Sequence, residues 1–168
     1  MAQSFFTRIV WTLILLIVQV LIFNHIHLFG YATPVIYIYI LCIQPLDAPR
    51  YSWLLWGFFT GLAADLFSGT PGVGAASMTL TAMCAPVLLR LMVPKDSVED
   101  MVPDYYNLGS WKFVWYVLLL VLLQQAAFIL LEVFSFFNFM DMLYTYLGSS
   151  LLTVIFVLAL AGMRGHKK

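Results

Sequence analysis

Six apolar runs follow one another along this chain, and its eight lysines and arginines fall only before the first run, after the last, and at or beside every second joint between them. The runs lie at residues 9–23, 34–46, 53–68, 71–93, 113–137 and 143–163. A helix that crosses a hydrocarbon core of about 30 Å takes about 20 residues, so the first two runs need their flanks to span. With the N-terminus inside, Arg8, Arg50, Arg90, Lys95, Lys112, Arg164, Lys167 and Lys168 all lie on the inner face. The three opposite joints, 24–33, 69–72 and 138–142, hold no lysine or arginine. The positive-inside rule then predicts an all-α integral membrane protein with six transmembrane helices and cytoplasmic N- and C-termini. A five- or seven-helix reading breaks that partition. Composition agrees: 63% of the residues are apolar and 10% charged, against about 45–50% and about 25% in an ordinary soluble chain.

Arg8, the first apolar run and then Gly30-Tyr31-Ala32 imitate a secretory signal with a small-residue cleavage site. Five further apolar runs make a retained first helix the simpler reading. Acids and bases balance at eight each, which offers no basic face for nucleic acid. Cys42 and Cys84 sit inside apolar runs as small hydrophobes, with neither a disulfide framework nor metal-ligand spacing. His25 and His27 supply too few ligands for a zinc site, which takes three or four protein side chains. The expectation is a chain with no catalytic constellation, no metal and no cofactor. Residues 94–112 form the one sizeable aqueous segment, a cytoplasmic loop too short to be a domain. It reads as a solvated linker in which Asp96, Glu99 and Asp100 are candidates for docking a cytoplasmic partner.

The most informative stretch is residues 57–74. Gly57, Gly61, Asp65 and Gly69 recur every four residues, so on a helix they form one slowly drifting stripe with a single carboxyl group and almost no other bulk. Gly57-x-x-x-Gly61 is the small-residue pattern that lets membrane helices approach closely, here expected within the chain itself. Asp65 lies twelve residues beyond Trp53, about 18 Å from the inner side and still inside the apolar slab. No lysine or arginine is placed to reach it. Its carboxyl group is protonated, or accepts backbone and hydroxyl hydrogen bonds, or pairs with His25 or His27, or meets another subunit. Thr70-Pro71 reads as an N-cap followed by proline at the first helical position, so the next helix starts near Asp65 and its free N–H groups are available to the carboxylate. Gly69, Pro71, Gly72 and Gly74 complete a tight outer turn. Glu132 falls near the outer boundary and reads as an interfacial glutamate, while Gln124 and Gln125 fall near mid-membrane as interhelical hydrogen-bonding groups.

The stretch from Gly57 to Gly74 resembles the hairpin signature of the rod shape-determining protein MreD family, in which a glycine-rich helix ends in Asp-Leu, a Ser-Gly turn and a Leu-Gly or Val-Gly restart. The resemblance extends to Pro34 and the tyrosine-rich run to Leu46, and departs at Val35, where the family often carries an acidic residue or asparagine. It implies a non-enzymatic subunit of the bacterial cell-elongation machinery in the cytoplasmic membrane, with a bundle similar to the six-helix S components of ECF transporters. It also implies partners: an MreC-like bitopic protein, and through it an MreB-like actin filament and RodA-type wall-synthesis enzymes.

Three functional classes compete: a membrane scaffold for a bitopic partner, a solute-binding S component of an ECF-type transporter, and a proton-coupled transporter using Asp65. The scarcity of convergent polar groups weighs against the second. The lack of a second mid-membrane charge weighs against the third. Asp65→Asn is expected to separate chemistry from structure, because an amide keeps much of the hydrogen bonding but does not titrate.

Overall fold

The computed structural model describes residues 2–23, 34–93, 108–132 and 139–165. Among the described residues every regular element is helical. Helix α1 spans Ala2–Val18 and continues through a wider π-helical turn, Gln19–Phe23. A 3₁₀ turn at Ile36–Ile38 leads into the short α2, Tyr39–Cys42. The long helices α3 (Arg50–Ser68), α4 (Val73–Met92), α5 (Ser110–Glu132) and α6 (Phe139–Gly165) follow.

The boundaries follow from local chemistry. Pro49, extended at φ −62° and ψ 147°, precedes α3, and Gly69 ends it in the left-handed region at φ 71°, its N–H donating to the Asp65 carbonyl at 3.0 Å. This is a left-handed C-terminal cap, a position glycine fills without a Cβ penalty. The chain reverses through Thr70-Pro71-Gly72-Val73, closed by the Val73 N–H on the Thr70 carbonyl at 3.3 Å. Proline in second place and Gly72 in third, at φ 89° and ψ −16°, are what a type II turn demands. Helix α4 therefore starts at Val73 with Gly72 as its cap, two residues later than the expectation that placed Pro71 at the first helical position. Helix α5 begins at Ser110, so Trp111 and Lys112, expected in the cytoplasmic loop, are helical.

Consecutive long helices pack against each other, α3 on α4, α4 on α5 and α5 on α6. The segment at 36–42 is enclosed by α1, α3 and α6. It and its two flanking residues, Val35–Ile43, are all buried, and Ile38, Leu41 and Cys42 are essentially inaccessible. A segment apolar on every side belongs in an interior rather than on a face. The run at 34–46, expected as a membrane helix, forms helical structure only from Ile36 to Cys42. Ahead of it, side chains of other helices take the backbone groups of Pro34, Val35 and Ile36, so those groups do not enter a helical ladder.

The bundle is inverted relative to a soluble one. Leu13 and Ile17 of α1, Phe59 and Leu66 of α3, Met83 and Leu91 of α4, and Leu151 and Ile155 of α6 face outward. Asp65, Ser77, Thr81, Gln124, Gln125, Ser149, Ser150 and Thr153 face inward. Exposed apolar surface on this scale needs a nonaqueous surrounding. Among the described residues, three helices are long and apolar enough to cross a membrane: Val73–Met92, Ser110–Glu132 and, within α6, Met142–Met163. Phe6–Leu21 is a shorter apolar helix.

Candidate functional site

The glycine stripe of α3 lies against the first half of α4. A Cβ added at Gly57 would lie 2.7 Å from the Ala82 Cβ and 2.9 Å from the Met78 carbonyl oxygen. One added at Gly61 would run into the carbonyl of Gly74 and stand 2.7 Å from the Ala75 Cα. The two backbones are therefore as close as helices can come, and the missing side chains make the approach possible. The contact is with the neighbouring helix of the same chain.

That approach delivers Asp65, which is 3% exposed, to the start of α4. Its Oδ1 accepts the Gly74 N–H at 2.8 Å and the Thr70 hydroxyl at 3.2 Å. Its Oδ2 accepts the Ala75 N–H at 2.9 Å and the Gly72 N–H at 3.0 Å. Helix N-termini leave N–H groups without intrahelical partners, a need an aspartate normally meets from the cap position of its own helix. Here the cap is glycine and the carboxylate comes from the preceding helix. Gly74 belongs to the same device, since a Cβ there would collide with Asp65 Oδ1. The positive end of the α4 dipole adds to the attraction. Gly69 and Gly72 have open space around them and serve through their left-handed backbone alone.

Four donors surround Asp65, two on each oxygen, and this corrects one expectation. An amide does not keep much of this bonding, because its NH₂ would face either the Gly72 and Ala75 N–H groups or the Gly74 N–H beside the Thr70 hydroxyl, and only the hydroxyl can turn to accept.

A second polar junction was not singled out in the sequence. Gln19, at the start of the π-helical turn, donates from Nε2 to the Pro34 carbonyl and accepts the Ile36 N–H on Oε1, both at 2.9 Å. Thr153 of α6 accepts the Val35 N–H at 3.0 Å and a bond from Gln125 Nε2 at 3.4 Å, while donating to the Ser149 carbonyl at 2.6 Å. Gln19 and Thr153 thus hold the backbone that leads into α2, and Gln125 of α5 braces Thr153. The one signal available was a glutamine in an otherwise apolar first run. Gln125 bridges α5 and α6, whereas the Gln124 amide, equally buried, has no hydrogen-bond partner on either atom among the described residues. Elsewhere in the bundle, Arg8 Nη1 donates to Gln44 Oε1 at 3.0 Å.

Glu132 is the last residue of α5 and is exposed. His25, His27, Asp96, Glu99 and Asp100 lie outside the described residues. Among the described residues no group of three His, Cys, Asp or Glu side chains could hold a metal ion.

The fold and this site together define a helical membrane protein whose central feature is a close-packed hairpin clasped by one buried acid. No family model, curated protein or solved structure matches the chain.

Proposed function

We propose that this chain is a non-enzymatic scaffold of the bacterial cytoplasmic membrane. In this reading it crosses the membrane six times with both termini inside, and it holds the single span of an MreC-like bitopic partner within the cell-elongation machinery. The observation that carries the reading is the hairpin itself: the residues on which the resemblance to the MreD family rests, Gly57, Gly61, Asp65 and the turn to Gly74, are those that join α3 to α4. Asp65 meets its donors inside the hairpin, which favours a structural part over proton transfer. The hairpin gives α3 a stiff backing, and its outer face presents Tyr51, Leu55, Phe58, Phe59, Leu66 and Phe67. Large rigid side chains on a helix fixed from behind suit lateral contact with another membrane helix, where packing replaces the hydrophobic drive. Asp96, Glu99 and Asp100 would serve as the cytoplasmic docking strip, linking the scaffold to MreB-like filaments and RodA-type synthases.

The test is purification of the tagged full-length protein from its native membranes. A scaffold brings down a bitopic protein with a coiled-coil external domain, and depletion of the chain turns rods into spheres. Recovery of ECF-type ATPase subunits instead would replace this reading with the S-component one.

A further inference from the structure

A groove of about 510 Å³ opens on the outer surface where α3, α4 and α5 meet. Its walls are apolar: Leu54 of α3, Met83 and Val87 of α4, Leu119 and Leu123 of α5. Arg50 and Arg90 line it as well. Arg50 begins α3 and Arg90 lies in the last turn of α4, so both guanidiniums stand at the end of the hairpin opposite the 69–72 turn. Both residues are exposed, and among the described residues neither has a carboxylate partner. The positive end of the α3 dipole, with no side-chain cap on it, lies at the same level. From Arg90 the groove follows α4 back to Ala82, eight residues or about 12 Å along the helix. Midway it passes Pro86, which has no N–H to return to the Ala82 carbonyl and so interrupts the ladder beside the groove.

An apolar trough within a bilayer, closed at one end by two guanidiniums that have no carboxylate partner among the described residues, matches one kind of molecule in shape and charge. We propose that it is a binding site for a single anionic glycerophospholipid, whose phosphate is held between Arg50 and Arg90 and one of whose acyl chains lies along Met83, Val87 and Leu123. Planar guanidiniums suit bidentate pairing with phosphate oxygens. The volume falls in the range of small-molecule sites, roughly 300–1,000 Å³. A zwitterionic headgroup would bring its own ammonium to two cations already present, so the site discriminates by headgroup charge. The inference rests on residence in a bilayer and is independent of the scaffold's partner, because its test uses the isolated chain.

The test is lipid retention by the purified full-length protein, read by native mass spectrometry after exchange with vesicles of phosphatidylglycerol or of phosphatidylcholine. The wild-type protein is expected to retain phosphatidylglycerol roughly thirtyfold better, the scale of two cations near a membrane surface. The Arg50→Gln/Arg90→Gln double variant is expected to lose that preference with its helix content unchanged, and Arg50→Lys/Arg90→Lys to keep part of it. Met83→Trp, which fills the groove and leaves both charges, is expected to lower retention of both lipids. Equal retention of the two lipids by the wild-type protein, a measurement that needs no variant, would overturn the proposal. So would an unchanged preference in the double glutamine variant, or full displacement by excess sn-glycerol 3-phosphate, which would make a soluble phosphate ester the ligand.

Discussion

Asp65 shows how one residue type takes its meaning from its surroundings. An isolated carboxylate in hydrocarbon is among the costliest groups a membrane chain can carry. Here two backbone N–H groups of α4, the Gly72 N–H and the Thr70 hydroxyl share its two oxygens. Asp65→Asn is therefore expected to lower stability by about 3 kcal/mol, the loss of two charge-assisted bonds, seen as a fall in unfolding temperature in detergent. Thr70→Val removes only the longest of the four bonds and is expected to cost about 1 kcal/mol. An Asp65→Asn protein as stable as the wild type would refute the four-donor account. At the second junction, Thr153→Val keeps shape but leaves the buried Val35 N–H without its acceptor, for a loss of about 1–3 kcal/mol.

At the scale of elements, glycines in the same hairpin do different things. Gly61 is pressed against the backbone of Gly74 and Ala75, so its Cβ has nowhere to go unless the helices part. Gly69 has open space but a φ of 71°. Gly69→Ala is thus expected to cost about 1–2 kcal/mol, the penalty of a side chain in the left-handed region. Gly61→Ala is expected to cost more, and Gly61→Leu to prevent assembly of the hairpin. Paired cysteines in α3 and α4 provide the readout: cross-linking across the interface should survive Gly69→Ala and fail with Gly61→Leu. The four-residue recurrence of glycines was legible in the sequence because a helix repeats nearly every four residues. A contact within the chain was also expected from the hairpin, but only the structure sets Gly57 against Met78 and Ala82 and Gly61 against Gly74 and Ala75.

At the scale of the molecule, the expected topology is tested by reporter fusions after residues 28, 70 and 140, all of which should report the external side, and after residue 168, which should report the cytoplasm. A fusion after residue 70 that reports the cytoplasm would reverse the orientation read from the lysines and arginines. The run at 34–46 marks the limit of such reading. Hydropathy sees thirteen mostly apolar residues but neither which of them are helical nor what they face; in the folded chain the helical part is Ile36–Cys42, wholly inside the bundle. A buried helix and a lipid-facing one can have the same composition, because lipid tails and protein interior are equally apolar.

The sequence by itself determined what local chemistry and solvent preference control. These are the helical class, the placement of the reversal at residues 69–72 by glycine and proline, and the burial of a lone acid set in an apolar run. Only the tertiary structure decided what depends on which surfaces meet: that Asp65 spans from one helix to cap the next, that Gln19 and Thr153 grip the entry to α2, and that Arg50 and Arg90 share one groove. Residues 40 positions apart in the chain come within reach of one site only when α3 and α4 fold back on each other, and no window of sequence contains that geometry.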